Sequence, residues 1–146
     1  LNGYIEGRFD LNSLRMGYRY SPWGERDGEF HQGILYNGKV VKAILKSKRG
    51  KLWLCLESNS ALSPRETTWL REKVIHCLGL KDDLSPLSEL AKRDANLKKA
   101  LLALPGYRLK SSLTLYEAII SAMLSQNCSA QTFFSIRKGL IEAIGR

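Results

Sequence analysis

Cysteine is scarce and scattered. Cys55, Cys77 and Cys128 are odd in number, widely spaced and set in apolar patterns, which argues against paired disulfides and against a zinc or iron–sulfur cage. A reducing compartment fits that usage. The two histidines, His31 and His76, have no second ligand at metal spacing, so each is read as structural or solvent-facing. No stretch reaches the ~18 consecutive apolar residues of a membrane span, and the N-terminal LNGYIEGRFD has neither a basic n-region nor an apolar h-region. The expectation is a soluble, non-secreted, intracellular protein of the cytoplasm or nucleoid/nucleus, with no membrane partner. The 12 glycines never form a phosphate-cradling GxGxxG or GxxxxGK[ST]. Acidic residues number only 14, and none pairs with another at the spacing that would flank one substrate bond. There is no HExxH, no nucleophile elbow, and no Cys or Ser with a convincing His partner. Motifs alone therefore offer no catalytic residue, no metal site and no cofactor site.

What the sequence has in excess is positive charge. Lys and Arg total 23 against the 14 acids, giving +9 and a pI near 9.6. Such a balance suggests a polyanionic partner, nucleic acid first, because neutralising phosphates releases counterions; net charge for solubility is the plainer alternative. The basic residues lie dispersed at Lys42, Lys46, Lys48, Arg49 and Lys51, at Lys92, Arg93, Lys98 and Lys99, and at Arg108, Lys110, Arg137 and Lys138. With 146 residues, 44% of them hydrophobic, the chain can build one sizeable core, or a complete small layer plus part of a second. It starts at Leu1 without an initiator Met and stops at Arg146 just after a helical pattern, as a fragment would.

The character of the chain changes once. Phe9 to Leu14 could open a short helix capped by Asp10, and Tyr18, Tyr20 and Trp23 around Gly17, Pro22 and Gly24 read as a packed loop. From Glu29 to Glu57 the signals are all strand. Phe30 to Tyr36 and Lys39 to Leu45 flank Asn37-Gly38, a strong two-residue hairpin signal, and a basic link leads to Lys51 to Glu57. In that last strand Leu52, Leu54 and Leu56 share one face, and Trp53 and Cys55 the other. Both faces are partly apolar, so something packs on each, or one awaits a partner.

After Asn59 the pattern is helical. Ser63-Pro64-Arg65-Glu66 combines an N-cap, Pro at the first helical position and a capping-box Glu, followed by Leu70, Val74, Cys77 and Leu78 and stopped by Gly79. Ser85-Pro86 starts a second helix and Asp94 caps a third before Pro105-Gly106. Thr114, with Glu117 three residues on, then opens an almost wholly apolar helix, which the pattern expects to be buried nearly all round as a central helix is. It ends in Ser125, Gln126, Asn127, Cys128 and Ser129, which offer hydrogen-bonding groups and no charge. Composition alone favours an ordinary inter-helix link with Ser129 as the next N-cap, with a functional turn as the alternative. The last helix is expected to turn Phe133, Phe134, Leu140, Ile141 and Ile144 inward. The fold class expected is α+β: a small antiparallel sheet domain over residues 1–60, then part of an all-α helical domain over residues 61–146 that lacks later members.

Pro105-Gly106-Tyr107-Arg108-Leu109, then Tyr116-Glu117 at a helix start and Leu124-Ser125-Gln126-Asn127-Cys128-Ser129 at its end, resemble the entry to the catalytic domain of helix-hairpin-helix DNA glycosylases. The branch is that of 3-methyladenine DNA glycosylase II and 8-oxoguanine DNA glycosylase. Phe9-Asp10-Leu11, Arg19-Tyr20 and the hairpin from Gly33 to Gly38 follow the pattern of that family's N-terminal antiparallel, TBP-like domain. Leu90-Ala91-Lys92-Arg93-Asp94 with Leu97 resembles the helices before the core.

The resemblance implies base-excision repair of duplex DNA carrying a damaged base. An enzyme working on a base inside a duplex must extrude it, at a cost of a few kcal/mol, and something must fill the vacated space. By position in the family pattern, Asn127 matches the inserted residue, with Gln126, Cys128 and Ser129 lining the turn beside it. Thr132 stands where some 8-oxoguanine enzymes carry an arginine that reads the opposite cytosine, a departure from that pattern. Gly17 matches a glycine whose backbone contacts the damaged base in the same group. The family's helix-hairpin-helix, catalytic Asp and lyase Lys all lie C-terminal to Arg146, so no catalytic residue carries over, and a missing C-terminal half is an implied partner. A non-catalytic nucleic-acid-binding module is the alternative, and an interaction domain binding no nucleic acid is the third.

Overall fold

The structure is a computed structural model that describes residues 2–5, 11, 23–48, 51–104 and 106–144. A five-stranded antiparallel sheet is built from β1 (Asn2–Ile5), β2 (Gly24–Arg26), β3 (Glu29–Tyr36), β4 (Lys39–Lys48) and β5 (Lys51–Ser58) in the order β1-β5-β4-β3-β2. Five helices follow: α1 (Pro64–Cys77), α2 (Ser85–Ala91), α3 (Ala95–Ala103), α4 (Leu115–Leu124) and α5 (Ala130–Ile144). This is the expected α+β class. The helix expected after Asp10, the loop from Gly17 to Pro22 and the final Gly145 stop lie outside the described residues.

The meander forms where the sequence puts turn chemistry between apolar alternations. Asn37 and Gly38 both take positive φ, 49° and 73°, the twist that joins β3 to β4 without splaying them. Asp27 and Gly28 do the same, at 54° and 76°, between β2 and β3. One face of the sheet carries Phe30, Ile34, Val41, Ala43, Leu45, Leu52, Leu54 and Leu56, all buried. Against it lies α1, with Leu70, Val74, Ile75, Cys77 and Leu78, and the same cluster takes in Ile5, Trp23, Leu80 and Leu113. The core therefore runs across residue 60, with α1 as the layer that covers the sheet.

Polar contacts fix how α1 meets the strands. The capping box is complete: Ser63 Oγ accepts from Glu66 N at 3.3 Å, and Glu66 Oε2 accepts from Ser63 N at 2.8 Å. The same carboxylate accepts from Lys39 Nζ at 2.8 Å, and Lys39 also donates to Ala61 O. One cation thus fastens the β3–β4 hairpin to the start of α1. Lys39 first, then the Ser63 amide and hydroxyl, hold the Glu66 carboxyl down to a pKa of about 2. Further along, Arg71 Nη2 donates to Tyr4 O at 2.6 Å, and Trp69 stacks on Tyr36 with centroids 4.3 Å apart.

Two expectations about the later helices are corrected. None of the α4 residues is buried; Leu115, Tyr116 and Met123 are 77%, 72% and 62% exposed. On α5 only Phe133 is buried and Phe134 is half-buried, while Leu140, Ile141 and Ile144 are exposed. The periodicity correctly marks these positions as apolar, but apolar pattern reports a preference for cover and not its presence. The described chain supplies cover on one side only.

Candidate nucleic-acid interface

The segment that enters α4 is held by its arginine. Arg108 Nη1 donates to Gly79 O and Asp82 O, both at 2.8 Å, so the guanidinium closes the turn that ends α1. Gly79 has φ +64°, and a Cβ there would stand 2.8 Å from Leu109 O, so the close approach requires glycine. Ser111 N donates to Cys77 O and Cys77 Sγ to Ser112 O. The residues from Gly106 to Leu113 are therefore strapped along the C-terminal end of α1, and α4 starts from a fixed point. Burial lowers the Lys110 pKa, and the Lys110 ammonium lies 5.1 Å from the Tyr107 ring centroid.

Thr114 caps α4, its side chain accepting from Glu117 N at 3.1 Å. Glu117 does not return the bond to the cap; its Oε2 accepts from Leu113 N at 3.2 Å instead. It also faces Gln32 Nε2 at 3.5 Å and Arg137 Nη2 of α5 at 3.7 Å. Glu117 and Arg137 form one wall of a cleft of about 460 Å³ that runs between β3, α4 and α5, with Gly33, Leu35, Ile120, Leu124 and Leu140 among its lining. Burial pushes the Glu117 carboxyl up, opposed by the Leu113 N–H and then by Arg137. The sequence reading took Glu117 only as a cap. Its second role depends on Gln32 and Arg137, which are distant in sequence.

At the other end of α4 the chain reverses within a few residues. Ser125 Oγ donates to Ala122 O, Gln126 N to Met123 O, and Cys128 Sγ to Leu124 O at 3.1 Å. Asn127 sits in the left-handed region at φ +53°, a conformation asparagine tolerates better than most residues. Ser129 Oγ accepts from Thr132 N at 3.1 Å and shares a hydrogen bond with Thr132 Oγ1 at 2.9 Å, which caps α5. The expected site residues Gln126, Asn127, Cys128, Ser129 and Thr132 are thus brought together, but they divide. Cys128, Ser129 and Thr132 spend their side chains on the turn itself. Gln126 and Asn127 are exposed, and neither side-chain amide has a hydrogen bond among the described residues. Gly17 lies outside the described residues. Among those residues there is no cluster of His, Cys, Asp and Glu able to hold a metal, all three cysteines are free, and no helix is long and apolar enough to cross a membrane.

No protein-family model matches the chain. The DNA-3-methyladenine glycosylase of Bacillus subtilis is 31% identical over 145 residues, a match that takes in 94% of this chain and 47% of that protein. A protein of Methanothermobacter thermautotrophicus named as a probable N-glycosylase/DNA lyase is 29% identical over 125 residues, covering 84% of this chain and 38% of that one. Among solved structures, a 3-methyladenine DNA glycosylase from Archaeoglobus fulgidus superposes with a TM-score of 0.67 at 18% identity, over 88% of this chain and 45% of that one. At that identity the superposition speaks for the fold. The chain's curated homologues are DNA glycosylases, and it spans about half of their length or less.

Proposed function

We propose that this chain is the N-terminal portion of an intracellular base-excision-repair DNA glycosylase: it binds duplex DNA carrying a damaged base and helps extrude that base. The observation that carries the reading is the α4–α5 turn. It presents two uncommitted amides, Gln126 and Asn127, on a loop that is otherwise hydrogen-bonded to itself. A wedge must hold its shape while it displaces a base that costs a few kcal/mol to unstack and unpair. Asn127 is the inserted residue in this reading, Gln126, Cys128, Ser129 and Thr132 support it, and Gly17 belongs to the lesion pocket.

Hydrolysis of the N-glycosidic bond is assigned to a C-terminal half that is not in this chain. In support, the apolar outer faces of α4 and α5 are open, and the match to the Bacillus subtilis glycosylase covers 47% of that protein. Residues 1–60 then form the sheet unit and residues 61–146 the incomplete helical unit, joined by the core beneath α1. The expected outcome with alkylated or oxidised duplex is binding without abasic-site formation by this chain alone. Robust turnover by the chain alone would overturn the division of labour.

A further inference from the structure

Lys48 at the end of β4 and Lys51 at the start of β5 stand on the outer face of the sheet, away from α1, and carry charge that no acid balances among the described residues. On the same face Lys42 and Lys46 are paired, with Glu57 at 3.8 Å and Glu29 at 3.3 Å. Toward the tip the pairing stops. Lys48 and Lys51 are cross-strand partners in the β4–β5 register, both exposed and neither with an acidic partner among the described residues. Like charges placed directly opposite across strands are destabilising. Each ammonium instead lies over an aromatic ring, Lys48 at 5.4 Å from the Trp53 centroid and Lys51 at 4.9 Å from that of Tyr4. The rings keep the two stems on the surface with the charges outward. Beside them is a gap of about 140 Å³ lined by Lys46, Lys48, Trp53, Leu54 and Cys55. The Trp53 indole N–H has no acceptor among the described residues. Donors and cations thus gather beside Trp53 without an anion to match them among the described residues.

We infer that the Lys48/Lys51 tip is a second nucleic-acid contact, one that grips the phosphate backbone of undamaged duplex without reading sequence. A phosphodiester supplies what the tip lacks: negative charge to relieve the facing lysines, and acceptor oxygens. The rings are capped by ammonium groups, so they serve to place charge and not to stack bases. This contact is separate from the lesion turn, which needs a damaged base; the tip needs only a charged backbone.

The test is a salt titration of the chain on undamaged duplex. Lys48→Gln/Lys51→Gln is compared with Lys98→Gln/Lys99→Gln, which makes the same charge change at exposed positions on α3. Two lost phosphate contacts lower the slope of log K against log salt by about 1.8, so between about 50 and 200 mM salt the wild type loses about tenfold more affinity than the tip variant. The α3 variant should keep the wild-type slope. The far-UV circular dichroism spectrum of both lysine variants should be that of the wild type, since every changed side chain is exposed. An unchanged slope in the tip variant, or an equal fall in the α3 variant, would overturn the inference. Neither outcome bears on base extrusion, which is read on damaged duplex.

Discussion

Asn127 shows why residue identity matters at a turn. Its φ of +53° would cost most side chains about 1 kcal/mol, and asparagine less. Replacing it with alanine therefore mixes backbone strain with loss of the amide. Asn127→Gly removes only the side chain, because glycine adopts the left-handed region freely, so it is the cleaner probe of what the amide does. Glu66 makes a second prediction at this scale. Its carboxyl is held at about 2 against an ordinary 4.5, chiefly by Lys39. The folded-state value is depressed, so the stability it contributes is fully present above about 4.5 and is lost as pH falls toward 2. The thermal midpoint of Glu66→Gln should lie below that of the wild type at neutral pH, and the two should converge across that window. A gap that stays constant down to pH ~2 would refute the assignment.

Among elements, the joint between α1 and α4 distributes the most structure through the fewest groups. Arg108 donates to two carbonyls of the turn that follows α1, Gly79 O and Asp82 O. Arg108→Ala is expected to lower unfolding free energy by about 2 kcal/mol, measured by denaturant titration. Gly79→Ala should cost at least as much, since the left-handed backbone and the contact with Leu109 O both resist a Cβ. A loss under ~0.5 kcal/mol in either variant would mean the joint is not what fixes the α4 entry.

Much of this scale is legible in the sequence. Asn37-Gly38, the Ser63-to-Glu66 box and the Asp94 and Ser129 caps are local signals, and each element begins near where they place it. Asp27-Gly28 carries the same turn signal as Asn37-Gly38, but β2 is three exposed residues long and has no apolar alternation to mark it as a strand. β1 is four residues long and owes its pairing to β5, some fifty positions away; no local pattern encodes that. The Glu117, Gln32 and Arg137 cluster escaped for the same reason.

The exposure of α4 belongs to the whole molecule. A sequence pattern cannot distinguish an apolar face that its own chain covers from one that another segment covers. Here Leu115, Tyr116, Ile119 and Met123 stand open on α4, and Ile136, Ile141 and Ile144 on α5. The match to the Bacillus subtilis glycosylase covers 47% of that protein's length. Under the function proposed above, these open faces are where the C-terminal half would pack. With a net charge of +9, the molecule would, on the two proposals made above, approach a polyanion through more than one surface, the α4–α5 turn and the Lys48/Lys51 pair.

The central claim is that the α4–α5 turn helps extrude a base. It is tested most directly by the fluorescence of 2-aminopurine placed beside a lesion in duplex DNA, which brightens when stacking is lost. At saturating protein the wild-type chain should raise the emission, while Asn127→Gly binds the same duplex and leaves it at or near the level of free DNA. Equal brightening by both proteins, or none by a wild type that is fully bound, would contradict the account.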